Sequence, residues 1–265
     1  MDQGKSAGNH KGSQGKGRKS RSVSTDAPLS LADGIAMVAS RVLYMDNHLL
    51  IVNKPAGTLT QGDASGDKDL HSLAKAYLKD HFNKPGNVFL ALVHRLDRPV
   101  SGVMVFPRTS KAASRVTQQF KQRTIEKRYI AMVEGRLTGS ETLVNYVWKD
   151  HRKVRVVTAD HPKGLRAELT YKSLAIEGNR SLVEVKLGTG RPHQIRVQLA
   201  NIGHRIIGDF RYRAKTELDG RNLALHSYLL RLEHPTLGEK MGWTAPPPDS
   251  WGTAFKAHIK GLVKG

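Results

Sequence analysis

The 265-residue chain has no cysteine, which removes disulfides, thiolate zinc sites, iron–sulfur clusters and cysteine nucleophiles at once. Aromatic residues make up only 6% of it, and none occurs before Tyr44. Acids are scarce: 23 aspartates and glutamates stand against 43 lysines and arginines, a formal net charge of +20. A chain this basic is drawn to polyanions, and nucleic acid is the commonest of them. Charge alone positions a protein on phosphates without reading bases. There is no long apolar run and no basic amphipathic stretch, so no membrane partner is expected. The 12 histidines show no His-Glu-x-x-His or comparable spacing, so no metal is expected. Neither a strand-linked Gly-x-Gly-x-x-Gly nor a Gly-x-x-x-x-Gly-Lys-Ser/Thr loop occurs, and no nucleotide cofactor is expected.

At this length the chain can bury one sizeable core, or a core plus a small appendage. Met1 to Thr25 is built from Gly, Ser, Lys, Arg, Asn and Gln, with six basic residues and one acid. Such a segment cannot bury enough apolar surface to offset its ordering entropy. It also lacks the apolar stretch of a secretory signal. The expected organisation is therefore a disordered basic tail over 1–35 and one domain over 36–265, in a cytoplasmic monomer.

Periodicity predicts strands at Arg41–Tyr44 and Leu49–Val52 around the turn Asp46-Asn47-His48. In Asp69–Phe82, Leu70, Leu73, Ala74, Tyr77 and Leu78 share one helical face. The apolar run Val88–Val93 reads as a buried strand, and another resumes at Gly102–Phe106. Thr109 or Ser110 can cap a helix running to about Arg123. From Lys127 the period shifts toward 2, predicting strands at Arg128–Val133, Glu141–Trp148, Lys153–Thr158, Ala167–Ile176, Ser181–Leu187 and Leu223–Leu232. A short helix should start at Pro192 and stop at Gly203, and the Pro246-Pro247-Pro248 run should close the ordered region. Many strands with few helices indicate an α+β domain, a mostly antiparallel mixed sheet with flanking helices.

The turn His94-Arg95-Leu96-Asp97-Arg98-Pro99 sets one carboxylate between two arginines at the lip of a sheet, where rigid strands can aim it. A solvated turn with Asp97 satisfied by arginine is the plainer alternative. Gly188-Thr189-Gly190 could cradle a phosphate or could simply turn the chain into the next helix. Further segments follow in order: Asn53-Lys54-Pro55-Ala56-Gly57, Lys127-Arg128-Tyr129, Gly190-Arg191-Pro192-His193-Gln194-Ile195-Arg196 and Leu223-Ala224-Leu225-His226. Together with the Asp97 turn, extended through Val100-Ser101-Gly102, this ordered set resembles the motifs of the RluA-type pseudouridine synthases, from about Tyr44 to Trp251.

The resemblance implies the pseudouridine synthase catalytic fold and isomerisation of uridine in structured ribosomal or transfer RNA. The N1–C1′ bond breaks, the uracil turns, and C5 joins C1′. The reaction is redox-neutral and needs no cofactor. By resemblance Asp97 is the catalytic carboxylate, attacking sugar or base or removing a sugar proton; the residues do not choose between these. Tyr129 corresponds to the active-site tyrosine, able to stack on uracil and help remove the C5 proton. Arg196 corresponds to the arginine paired with the aspartate, beside the helical stripe Ile195, Leu199 and Ile202. A nearby guanidinium favours an ionised carboxylate where burial opposes it.

The target base must leave its stack. Arg95 is the candidate to fill the gap or hold the flipped nucleotide, with a phosphate contact as the alternative. Leu225 corresponds to the apolar residue under the base, though core packing suits it equally. His94 and Arg191 complete the expected substrate contacts, His94 and His193 mainly through structural hydrogen bonds. Val100 and Gln198 depart from the Thr and His of many members, which bears on subfamily rather than activity. The N-terminal tail, short and polar, is not expected to form an S4-like RNA-binding module, so substrate choice is expected to come from the catalytic domain and its basic surface. The competing function is a noncatalytic RNA-binding or ribosome-assembly factor that keeps the fold. A nucleoside glycosylase shares the carboxylate chemistry but not the motif order.

Overall fold

The computed structural model describes residues 29–151 and 153–264; the tail expected over Met1–Thr25 lies outside them. Among the described residues are five α-helices and ten strands: α1 (Leu31–Ala39), β1 (Val42–Met45), β2 (Leu49–Lys54), α2 (Leu70–His81), β3 (Ser101–Pro107), α3 (Ser110–Gln122), β4 (Glu126–Glu134), β5 (Ser140–Asp150), β6 (Lys153–Val157), β7 (Leu165–Glu177), β8 (Arg180–Leu187), α4 (Gln194–Asn201), β9 (Leu225–Glu233), β10 (Lys240–Thr244) and α5 (Lys256–Lys264). All strands join one sheet in the order β1-β2-β3-β9-β4-β8-β7-β5-β6, with β10 also on β9. Only β3–β9 is parallel, so the architecture is α+β with a mixed, mostly antiparallel sheet.

Local chemistry sets the helix ends. Ser30 caps α1 by accepting from Asp33 N, so helix begins ahead of the Ile35 at which the apolar pattern starts. Asp69 caps α2 through Ser72 N, and Thr109 caps α3 through Ala112 N. The helix α3 stops at Arg123, which turns left-handed at φ 59°. In β2 and β3, neighbouring apolar residues are buried on opposite faces. Leu50, Val52, Met104 and Phe106 pack toward α2, whereas Leu49, Ile51, Val103 and Val105 pack with Val116 of α3. Strands covered on both faces read as unbroken apolar runs.

The parallel contact is short, Ser101 with His226 and Gly102 with Ser227. Gly102 permits it: at φ 132°, a Cβ there would lie 2.4 Å from Ser227 O. The close approach brings the Asp97 turn, which precedes β3, beside Leu225 on β9 and Tyr129 on β4.

Three expectations are corrected. Val88–Val93 is extended but joins no ladder; Leu90 is buried and its carbonyl accepts from His71 Nε2. Only Val88 and Leu90 are buried, Phe89 is exposed and the rest is half-buried, so an apolar composition here reflects neither strand pairing nor full burial. Helix α4 starts at Gln194, not Pro192, because His193 takes a left-handed φ of 49° at its N-cap. Pro246–Pro248 does not end the order: a 3₁₀ turn (Asp249–Trp251) and α5 follow, placing Trp251, Phe255 and Ile259 in the main core. Strand β10, half-buried and weakly patterned, escapes the periodicity altogether.

Candidate active site

The Asp97 turn is held from both sides. Thr60 Oγ1 donates to Leu96 O at 2.7 Å and accepts from Leu96 N at 3.2 Å. Val100 N closes the turn on Asp97 O at 3.0 Å. Lys54, fully buried at the end of β2, donates to Arg98 O, Pro55 O and Thr58 O at 3.1, 3.0 and 2.6 Å. Burial pulls its pKa down to about 7, against the opposing charge of Asp97. The three acceptors favour the ammonium form, since a neutral amine could donate to only two of them.

Asp97 Oδ2 accepts from Arg196 Nη1 at 2.9 Å and lies 3.5 Å from His193 Nε2. Arg196 is buried, contrary to a solvated helix arginine, and its remaining donors are bidentate: Nε and Nη2 each meet a carboxylate oxygen of Asp209 at 2.7 Å. Burial works against its charge, but Asp209 and then Asp97 outweigh that and raise its pKa. The guanidinium also lies 5.3 Å from the ring centre of Tyr212, whose hydroxyl is 3.0 Å from His193 Nδ1. Asp97, Arg196, Asp209, Tyr212 and His193 thus form one connected cluster. Burial lowers the His193 pKa, Arg196 and Arg211 adding to the effect and Asp97 opposing it. Asp209 carried no sequence signal: its role appears only when the 3₁₀ turn Phe210–Tyr212 folds back on α4.

Tyr129 is buried with its hydroxyl bonded to Ser227, and burial pushes its pKa up to about 12. It is a neutral phenol at physiological pH. Tyr129, Leu225, Asp97, Arg196, Arg95 and Arg191 border one recess of about 80 Å³. The recess opens to a cleft of about 750 Å³ whose walls also carry Arg123, Lys127 and Lys149. His94 borders the outer cleft but not the recess. Its Nε2 accepts from Val105 N at 3.0 Å, and burial pushes its pKa down to about 3. Arg191 Nε donates to Arg166 O at 3.0 Å. In the Gly188–Gly190 loop, Gly188 N and Thr189 N donate to Glu168 O, and Arg191 N donates to Gln194 Oε1. Those amides serve the turn itself, which favours the plainer reading of the loop. No group of three or more His, Asp or Glu suited to a metal occurs among the described residues.

A buried tyrosine, a carboxylate held by a doubly paired arginine, and a basic cleft suit work on a base of a polyanion. The chain belongs to the RNA pseudouridylate synthase family, whose pattern it matches over residues 48–201. It is a pseudouridine synthase, an isomerase acting on RNA. Over 226 residues it is 35% identical to the uncharacterized RNA pseudouridine synthase YhcT of Bacillus subtilis, covering 84% of this chain and 71% of that one. It is 31% identical to ribosomal large subunit pseudouridine synthase D of Haemophilus influenzae, covering 79% and 68%. With synthase C of Vibrio vulnificus it shares 32%, covering 83% and 70%. Its fold is that of human RNA pseudouridylate synthase domain containing 4, with TM-score 0.68, 22% identity, and 88% and 97% of the two chains covered.

Proposed function

We propose that this enzyme isomerises uridine in ribosomal RNA, with Asp97 as the catalytic carboxylate. The observation that carries the reading is the Asp97–Arg196–Asp209 arrangement at the floor of a basic cleft. Asp97 acts at the flipped nucleotide; Arg196 holds the carboxylate and its charge. Tyr129 lies against the uracil, with Leu225 beneath the base and Arg95 at the vacated stack. A purely RNA-binding factor would need no such cluster. Ribosomal rather than transfer RNA is favoured by the relatives named for the large subunit. We assign the chain from Ser30, which caps α1, through residue 265 to one catalytic domain, so that the boundary moves ahead of the expected residue 36, and the residues before it to a basic arm, in a cytoplasmic monomer. No helix among the described residues is long and apolar enough to cross a membrane.

The test is release of tritium from RNA labelled at uridine C5. Asp97→Asn is nearly isosteric and removes only the ionised oxygen. It should lower turnover by at least about 10³-fold while RNA affinity stays within a few-fold. Substantial tritium release by Asp97→Asn would remove Asp97 from the chemistry. Free uracil as product would instead indicate a glycosylase.

A further inference from the structure

The outer cleft contains a cation for which the fold supplies no counter-charge. Lys127 lies on β4 two residues before Tyr129, so the two share one face of the strand with backbones about 7 Å apart, and both line the outer cleft. Its ammonium stands 5.2 Å from the ring centre of Phe120, and His94 stacks on the same ring at 5.1 Å. Arg128 beside it is partnered, meeting Glu126 at 2.6 Å and Glu184 at 3.0 Å, as is Arg98, meeting Asp67 at 2.7 Å, whereas Arg95 and Arg123 line the same cleft as further cations. The Lys127 ammonium has no hydrogen-bond acceptor and no ion pair among the described residues. Burial alone holds its pKa below the ordinary lysine range.

Lys127 is half-buried and its ammonium still opens on the cleft, so in the free enzyme solvent is its acceptor, and an anion of the substrate can displace that solvent. His94 cannot compensate, because it is neutral and its pKa is depressed in part by Lys127 itself. The Phe120 ring faces the ammonium itself, which orients it at the cleft wall shared with Arg95 and Arg123. What supplies a counter-charge there is an anion entering with the substrate.

We infer that Lys127 is the centre of a phosphate-binding subsite that takes the phosphodiester next to the flipped uridine. This rests on the function proposed above and adds a contact to its substrate. One charge-assisted contact at a half-buried position is worth about 10-fold in affinity. It carries no base information, so it should serve every target sequence alike.

The test uses the full chain and a large-subunit ribosomal RNA transcript. Lys127→Met keeps most of the stem and removes the charge. It should raise Kd and KM about 10-fold and lower kcat less than about 3-fold. The slope of log K against log salt should become shallower by about 0.7 to 1. Lys127→Arg should restore most of the affinity. An Lys127→Met protein with the parent's thermal midpoint, Kd and salt slope overturns the subsite. Absence of tritium release by the parent enzyme would instead overturn the function proposed above. A second measurement needs no variant: amine-selective labelling of the parent, read peptide by peptide, should show Lys127 shielded by RNA. Equal labelling with and without RNA also overturns the proposal.

Discussion

At the residue scale the site turns on how one guanidinium is divided. Arg196 gives one nitrogen to Asp97 and two to Asp209, so the carboxylate facing the cleft is held by a group that is itself fixed behind it. Asp209→Asn removes the rear charge while keeping the shape. Breaking a buried ion pair by one partner costs about 3 kcal/mol, which should appear as a lower unfolding free energy in denaturant. Arg196 then loses its orientation, and kcat should fall on the order of 10–100-fold with KM little changed. A kcat within 2-fold of the parent's would show that Asp209 serves folding alone. Asp97, Tyr129 and Arg196 were singled out because the motifs that carry them resemble those of the pseudouridine synthases, and the structure brings the three to one recess. Asp209 was not, because its meaning depends on a side-chain contact made across a turn. Lys54 was visible as part of a motif, but its three carbonyl acceptors exist only once the Asp97 turn has folded over it.

At the element scale the site exists because β3 and β9, 125 residues apart at Ser101 and His226, touch for two residue pairs. Gly102 is the point of contact, and an added methyl would meet Ser227 backbone atoms at 2.4, 2.5 and 2.7 Å. Gly102→Ala adds that clash to a backbone conformation that L residues avoid. The expected result is about 3 kcal/mol of lost stability in urea unfolding. Activity should fall as well, since the Asp97 turn precedes β3 while Tyr129 and Leu225 belong to the strands across the gap. An alanine variant of parental stability would mean that β3 and β9 can part without cost. Most elements followed from periodicity and caps, α2 and α3 almost to the residue. The misses share a physical cause. An apolar run does not report pairing, and in Val88–Val93 only Val88 and Leu90 are buried, so a loop read as a strand. Three prolines report a break and not an end, so the apolar Trp251, Phe255 and Ile259 at helical spacing beyond them went unused.

For the whole molecule, charge and burial combine in its response to acid. His226 is buried and His94 half-buried at the cleft wall; both are neutral, with pKa values pushed by desolvation from 6.5 to about 4 and about 3. His226 is fully satisfied in that form: Nδ1 lies 2.8 Å from Ser101 Oγ, and Nε2 donates to Ala245 O at 2.9 Å. The unfolded chain binds protons at these histidines below pH 6.5, whereas the folded chain does not until its lower pKa values are reached. Their stabilisation is therefore complete above pH 6.5 and is lost as pH falls toward 4. The slope should approach about 1.4 kcal/mol per pH unit for each histidine. Asp46, Glu126 and Asp219, whose pKa values are lowered from 3.8, 4.5 and 3.8, add their loss only at more acidic pH. A chain already at +20 carries self-repulsion that adds to this loss as protons are taken up. Urea unfolding measured between pH 7 and 5 should show a steady drop of more than one proton's worth per unit near the lower end. Unfolding free energy that stays flat from pH 6.5 to 5 would mean that these histidines accept protons in the folded protein as readily as in the unfolded one.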